Sequence, residues 1–259
     1  MASLIHETAI ISPKAQLGKN IQIGPYSIIG DQVSIGDNSS IGSHVVITGN
    51  TSIGGNNNIY SHNSIGAAPQ DKKYKDEDTK LVIGDNNTIR EFCTINLGTS
   101  QDKGITRIGN NNWIMAYVHI AHDCDIGNEV IMANNSSLAG HVQVDEYAIL
   151  GGFTLVHQFC KIGAHIISAV NTVIFKDVPP YLMISEYGGK PSGINMEGLK
   201  RRGFESKKID LIKKSYRIIF RDQNTTDEAI QKLRELDKNS SEVKNFISFL
   251  ENSQRGIVR

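Results

Sequence analysis

Eight histidines occur in this chain, and four of them, His119, His122, His141 and His157, fall within one stretch that also places Asp123 directly after His122. Imidazole, with an ordinary pKa of about 6.5, can take a proton from a hydroxyl near neutral pH, so one chemistry is acyl transfer with a histidine general base. Asp123 is placed to orient such a base, and a histidine base predicts that kcat/KM rises with pH through about 6–7. Three imidazoles are also the ligand set of a carbonic-anhydrase-like zinc. A third reading is a polar ladder with a purely structural role. Cys124 lies beside His122, but a small internal residue is the better reading than a nucleophile.

These side chains become neighbours only if the chain returns repeatedly to one edge, and its rhythm says that it does. An aliphatic residue stands at every sixth position from Ile5 to Ile65, the rhythm returns at Ile83, Ile89 and Ile95, and after a slip of one residue it runs from Ile108 to Ile174, where Ser168 alone breaks it. No helix or ordinary strand has a period of six; such a repeat marks a parallel β-helix. Small or β-branched residues two places earlier (Ser27, Val33, Ser39, Val45, Thr51) supply a second, shorter inward side chain per hexad. Glycine and asparagine, as in Gly36-Asp37-Asn38 and Gly109-Asn110-Asn111, are expected at corners that need positive φ.

Three hexads make a coil of eighteen residues, with coils about 4.8 Å apart. Modulo eighteen, His119, His122, His141 and His157 leave remainders 11, 14, 15 and 13, which places them on one strip roughly 10 Å tall. His165 falls elsewhere. Convergence of polar groups on one surface favours a site over isolated structural histidines. A second column, Ala116, Asn134, Gly152 and Val170, is also spaced by eighteen, and Gly151 adjoins it. Two adjacent residues without side chains suggest an axial groove for an extended apolar chain, or else merely a corner.

Two polar interruptions, residues 67–80 and 98–106, are expected to loop outward, and loops on a rigid scaffold often carry binding residues. After Ile174 the hexads stop at Val178-Pro179-Pro180-Tyr181. Helical spacing then recurs in Ile209, Ile212, Tyr216 and Ile219, in Ile230, Leu233 and Leu236, and in Val243, Phe246 and Leu250, with Thr225 and Glu228 forming a capping box. The expected organisation is therefore mainly β, a hexapeptide β-helix over 1–187 and an α-helical domain over 188–259. Formal net charge is zero, which argues against nucleic acid or bulk membrane binding. The absence of a leader or an apolar span, and an odd set of three cysteines (Cys93, Cys124, Cys160), point to a cytoplasmic, reduced protein.

The segments His119-Ile120-Ala121-His122-Asp123-Cys124, Leu138-Ala139-Gly140-His141-Val142, Val156-His157-Gln158-Phe159-Cys160, Asp177-Val178-Pro179-Pro180-Tyr181 and Gly193-Ile194-Asn195-Met196-Glu197-Gly198-Leu199-Lys200-Arg201-Arg202-Gly203-Phe204 resemble the bacterial UDP-N-acetylglucosamine O-acyltransferases that start lipid A synthesis. The resemblance spans the chain and implies a left-handed helix, an exception to the usual crossover hand. It further implies transfer of an (R)-3-hydroxyacyl group from acyl carrier protein to the sugar 3-hydroxyl, in a homotrimer with sites between subunits. No metal or separate cofactor is implied, because the phosphopantetheine of the carrier protein brings the acyl group.

By this resemblance His122 is the general base, Asp123 its partner and the Gly140 N–H the oxyanion donor. Gln70, Asp71, Lys73, His119, His141 and Gln158 line the acyl and sugar pocket, while His157, Asn195, Glu197, Arg201 and Arg202 hold nucleotide or phosphopantetheine. Gly152, Ile167 and Val170 form the acyl groove. Two positions depart from the family pattern. Asn96 replaces a histidine and is given no role, and Val170 stands where some relatives have glycine, which should shorten the accepted chain. The sister N-acyltransferases carry an extra N-terminal domain, for which hexads beginning at Ile5 leave no room. A zinc hydratase and a non-catalytic scaffold are the competing readings.

Overall fold

Side chains at the sixth-residue positions form the interior: Ile23, Ile29, Ile35, Ile41, Ile47, Ile53, Ile59 and Ile65 are each at most 3% exposed. Burying an isoleucine stabilises by roughly 1.5–3 kcal/mol, so this spine is the principal driving force of the wall. The computed structural model describes residues 4–237 and 239–259, and it is a left-handed parallel β-helix followed by helices. Short strands stack into three faces of 11, nine and eight strands. Successive coils pair eighteen apart, as in Ile5↔Ile23, then thirty apart across the first insertion (Asn58↔Thr88) and twenty-five apart across the second (Thr94↔His119). Ser168, the break in the aliphatic rule, is buried and satisfied: its hydroxyl lies 2.8 Å from Thr154 Oγ1 and accepts from the Gly151 N–H at 2.9 Å.

The corners correct one expectation. Apart from Gly66 (φ 73°), glycines following the aliphatic residue are not the positive-φ residues; that conformation belongs to the third residue after it, the expected asparagines Asn38 (φ 58°) and Asn111 (φ 58°) among them, with Asp123 (φ 59°) and His141 (φ 64°). Asn, Asp and His tolerate this region better than most side chains. The glycines serve contact between coils instead. A Cβ on Gly24 would stand 2.8 Å from the backbone of Gly42, too close to be accommodated.

Both insertions leave from the corner joining the nine-stranded to the eight-stranded face, between Ala67 and Lys80 and between Asn96 and Ile105. Beyond the coils, strands Leu182–Ser185 and Lys190–Ile194 form an antiparallel pair that extends the 11-stranded face. Helices α1 (Met196–Arg201), α2 (Ser206–Phe220), α3 (Thr226–Leu236) and α4 (Ser241–Glu251) follow. The expected capping box of Thr225 and Glu228 opens α3, and the apolar stripes meet in a second core around Leu199, Ile212, Leu233, Val243 and Phe246. Helix α1 carries too few apolar residues to show a period. Among the described residues, no helix is long and apolar enough to cross a membrane.

Candidate active site

At the corner between the nine- and eight-stranded faces, His122, Asp123, Gly140 and His141 come together from two successive coils. Asp123 accepts at Oδ2 from His122 Nδ1 at 2.9 Å, which leaves Nε2 as the outward basic atom of that ring. The His122 ring lies on Gly140, eighteen residues further along: a Cβ there would be 2.5 Å from His122 Cε1 and 2.7 Å from Nε2. Among the described residues, the Gly140 N–H donates to no protein group. The His141 ring stands edge-on to His122, with centroids 5.0 Å apart, and stacks on Phe159 at 4.3 Å.

Asp123 is held more firmly than its sequence context announces. Its carboxylate accepts from the Thr99 N–H at 3.0 and 3.1 Å and from the Thr99 hydroxyl at 2.7 Å, and its own N–H donates to Thr106 Oγ1 at 2.8 Å. Burial alone would raise the carboxyl pKa, but the hydrogen bonds from His122 and Thr99 outweigh it and hold Asp123 below the ordinary carboxylate value. Asp123 therefore stays ionised where it can favour a positive imidazole beside it. His119, bonded through Nδ1 to Thr94 Oγ1 at 2.7 Å, has its pKa lowered by burial first and by the nearby His122 second, so it is neutral near pH 7.

The second insertion thus supplies site residues that periodicity alone does not reveal. Thr99 fixes Asp123, and Asp102 Oδ2 lies 2.9 Å from His141 Nδ1. The two insertions are tied together where Ser100 donates its N–H to Glu77 Oε2 at 2.6 Å. Asn96 pins the root of the first insertion by donating from Nδ2 to the carbonyls of Ala67 at 3.3 Å and Ala68 at 2.9 Å. On that loop Gln70 and Lys73 are exposed, Asp71 is half-buried, and the Lys73 N–H donates to Asp71 Oδ1 at 2.9 Å.

The remaining expected residues lie in other places. His157 and Gln158 are exposed on the next coil of the same corner, where the His157 ring meets Phe175 with centroids 5.9 Å apart. Gly152 and Val170 occupy the opposite end of the nine-stranded face, with Val170 72% exposed, and Ile167 lies on the adjoining 11-stranded face. The two columns share coils but not a corner. Gly151 contributes no void, since a Cβ there would be 2.5 Å from the Ser168 carbonyl oxygen; only Gly152 is open.

Asn195 is buried as the N-cap of α1, accepting from the Gly198 N–H at 3.1 Å and donating to the His165 carbonyl at 2.9 Å. Glu197 pairs with Lys200 at 3.2 Å, Arg201 is exposed, and Arg202 covers the Tyr147 ring while donating to the Tyr147 carbonyl at 3.0 Å. This group sits at the third corner of the prism. Cys124 is fully buried with its thiol pushed up to about 12 by burial, which removes it as a nucleophile. A cavity of about 690 Å³ lies apart from this chemistry, between the eight-stranded face and α4, lined by Asp125, Asp145, Lys161 and Asn245 among others.

Comparisons with known proteins converge on one description. The bacterial transferase hexapeptide family (six repeats) matches residues 14–49 and 105–140, and domain 2 of the UDP N-acetylglucosamine O-acyltransferase family matches residues 177–258. An acyl-[acyl-carrier-protein]–UDP-N-acetylglucosamine O-acyltransferase of Thiobacillus denitrificans is 57% identical over 255 residues, covering 98% of this chain and 99% of that protein. The crystal structure of a Francisella novicida UDP-N-acetylglucosamine acyltransferase superposes with a TM-score of 0.97 at 44% identity, covering 99% of this chain and 94% of that one. An Arabidopsis UDP-N-acetylglucosamine acyltransferase superposes at 0.85 with 35% identity, over 99% of this chain and all of that one (100%).

Proposed function

This chain belongs to the UDP-N-acetylglucosamine O-acyltransferase family, and on that premise we propose how its corner constellation carries out acyl transfer. The protein is an acyltransferase of lipid A biosynthesis that moves an acyl group from acyl carrier protein to UDP-N-acetylglucosamine. His122 Nε2 takes the proton of the sugar 3-hydroxyl, and the oxygen attacks the thioester carbonyl of an (R)-3-hydroxyacyl chain. Ionised Asp123 stabilises the imidazolium that forms. The Gly140 N–H donates to the oxyanion of the tetrahedral intermediate, an interaction often worth a few kcal/mol in the transition state. Collapse breaks the C–S bond, and the imidazolium returns its proton to the departing thiolate. Because the carrier's phosphopantetheine brings the acyl group, no separate cofactor is needed.

His119, His141, Gln158, Gln70, Asp71 and Lys73 surround sugar and acyl chain in this reading. His157, Glu197, Arg201 and Arg202 face nucleotide or phosphopantetheine, and Asn195 shapes that region as the cap of α1. One chain cannot assemble this pocket alone. The groove column and His122 lie at opposite ends of the nine-stranded face, six residues or about 20 Å of extended backbone apart. A second copy brings one subunit's groove corner against another's histidine corner, and a homotrimer closes the set. Surface composition supports this assembly. Trp113, Met183, Ile10, Ile28 and Leu155 expose apolar side chains on the 11- and nine-stranded faces, whereas the eight-stranded face presents Gln16, Ser34, Arg107, Asp125 and Lys161. An acyl donor on acyl carrier protein and a nucleotide sugar are cytoplasmic substrates, which supports a cytoplasmic location.

The observation that carries the mechanism is the Asp123–His122 bond at 2.9 Å above a side-chain-free Gly140. His122→Ala tests it: kcat with (R)-3-hydroxyacyl carrier protein and UDP-N-acetylglucosamine should fall by about 10² or more, with thermal unfolding unchanged. A folded variant with near-native kcat would refute the assignment.

A further inference from the structure

Gln70, Asp71 and Lys73 come from the first insertion and the clasp on Asp123 comes from the second, and one side chain joins the two. Glu77 Oε2 accepts from the Ser100 N–H at 2.6 Å, a short bond of the charge-assisted kind. A peptide unit is planar, so a hold on the Ser100 N–H is also a hold on the Thr99 carbonyl in the same plane. That carbonyl is fixed from its other side, where it accepts from the Gly104 N–H at 3.1 Å. On the preceding peptide the Thr99 N–H donates to the two Asp123 oxygens at 3.0 and 3.1 Å, and the Thr99 hydroxyl donates to Oδ2 at 2.7 Å. Both backbone planes of Thr99 are therefore set, one with the help of Glu77 and the other against Asp123.

The Glu77 carboxylate is not what attaches either loop. Backbone alone stitches the second insertion to the root of the first: the Lys80 N–H donates to the Gly104 carbonyl at 2.8 Å, and the Gly98 N–H donates to the Lys80 carbonyl at 3.2 Å. The first insertion keeps the bonds from Asn96 to the Ala67 and Ala68 carbonyls, and the Tyr74 hydroxyl donates to the Glu77 backbone carbonyl at 3.3 Å. None of these uses the carboxylate. What it adds is rigidity at one point, beside the residue that sets the aspartate. The line runs inward from the surface, since Glu77 is half-buried, whereas Thr99 and the Asp123 side chain are each 1% exposed.

We propose that Glu77 is a positioning residue of the acyl transfer: its carboxylate fixes the Thr99–Ser100 peptide, so that Thr99 holds Asp123 and Asp123 holds the His122 ring with Nε2 toward the sugar hydroxyl. Glu77 acts through Thr99, unlike Gln70, Asp71 and Lys73 on the same insertion, which serve binding. The loop that surrounds the sugar thus also steadies the base. This inference rests on the reading of His122 as that base.

Steady-state kinetics of four variants test it. Glu77→Ala should lower kcat per folded chain by about tenfold, part of the loss on the order of 10² that a misplacement of about 1 Å can cause. KM for UDP-N-acetylglucosamine and for the acyl carrier protein should stay near native, with thermal unfolding unchanged. Glu77→Gln keeps an oxygen acceptor and should retain most of the native kcat. Asp78→Asn, a change at the exposed neighbour, should be silent. In a Thr99→Val background, which lacks the hydroxyl of the clasp, Glu77→Ala should cost measurably less than alone, because residues acting along one network are not additive. Native kcat in Glu77→Ala, a raised KM with kcat unchanged, equal losses in Glu77→Gln and Glu77→Ala, an equal loss in Asp78→Asn, or full additivity with Thr99→Val overturns the inference. Near-native kcat in His122→Ala overturns the base assignment beneath it, whereas a loss there with none in Glu77→Ala overturns the role of Glu77 alone.

Discussion

Gly140→Ala adds one methyl group, keeps the backbone N–H and separates steric positioning of the base from oxyanion donation. The new Cβ would stand 2.5 Å from His122 Cε1 and 2.7 Å from Nε2. Ordinary carbon contacts begin near 3.4 Å, so the ring must retreat by about 0.9 Å or rotate away from Asp123. A reacting group displaced by about 1 Å can lose on the order of 10² in rate, so kcat should fall by about that factor. Gly140 is not among the positive-φ residues, so alanine is sterically allowed on its own backbone and relieves unfolded-state entropy by about 0.4–1 kcal/mol. Thermal stability should therefore hold or rise while activity collapses. Steady-state kinetics with saturating donor, paired with thermal unfolding, reads both. A variant within threefold of native kcat would refute the idea that His122 depends on the bare glycine beneath it.

Val170→Gly removes a branched side chain from the groove corner and should shift preference toward longer acyl chains, measured by mass spectrometry of products from a panel of carrier-protein thioesters; an unchanged preference would place the ruler elsewhere. His165, packed between Tyr147 and Tyr181, has its pKa lowered from 6.5 to about 4 by burial, with a smaller push from Arg202. The unfolded chain therefore binds the proton first, so this contribution is intact above about 6.5 and is lost as pH falls toward 4, by up to about 3 kcal/mol. Urea unfolding across that window should show a shallower acid decline for His165→Phe, and an identical slope would exclude the residue as a source.

What the sequence revealed follows from what is repeated. Inward isoleucines meet the same steric test at every coil, so Ile23 or Ile120 is legible from its neighbours six residues away. The same translation exposed His122 and His141, because no insertion falls between Ile108 and Ile174. Thr99 and Asp102 were hidden since they lie inside an insertion, where position modulo eighteen has no meaning, and their roles come from a loop folding back by hydrogen bonds. Asn195 reads as a ligand residue by its motif, yet its amide is engaged in capping α1. The separation of groove and histidine columns also follows from counting: Gly152 and Gly140 are twelve residues apart, two faces along the chain rather than a whole coil.

Translational symmetry makes the His122–Asp123–Gly140 geometry available in principle at every level of that edge, since it depends only on steps of one and eighteen residues. The threonine that clasps the carboxylate is not repeated. It arrives on residues 97–104, at one height only, tied to its neighbouring loop through Ser100 and Glu77. The reaction centre is thus fixed along the prism by an interruption: the regular lattice offers many equivalent berths, and the irregular segment that carries Thr99 decides which one is occupied.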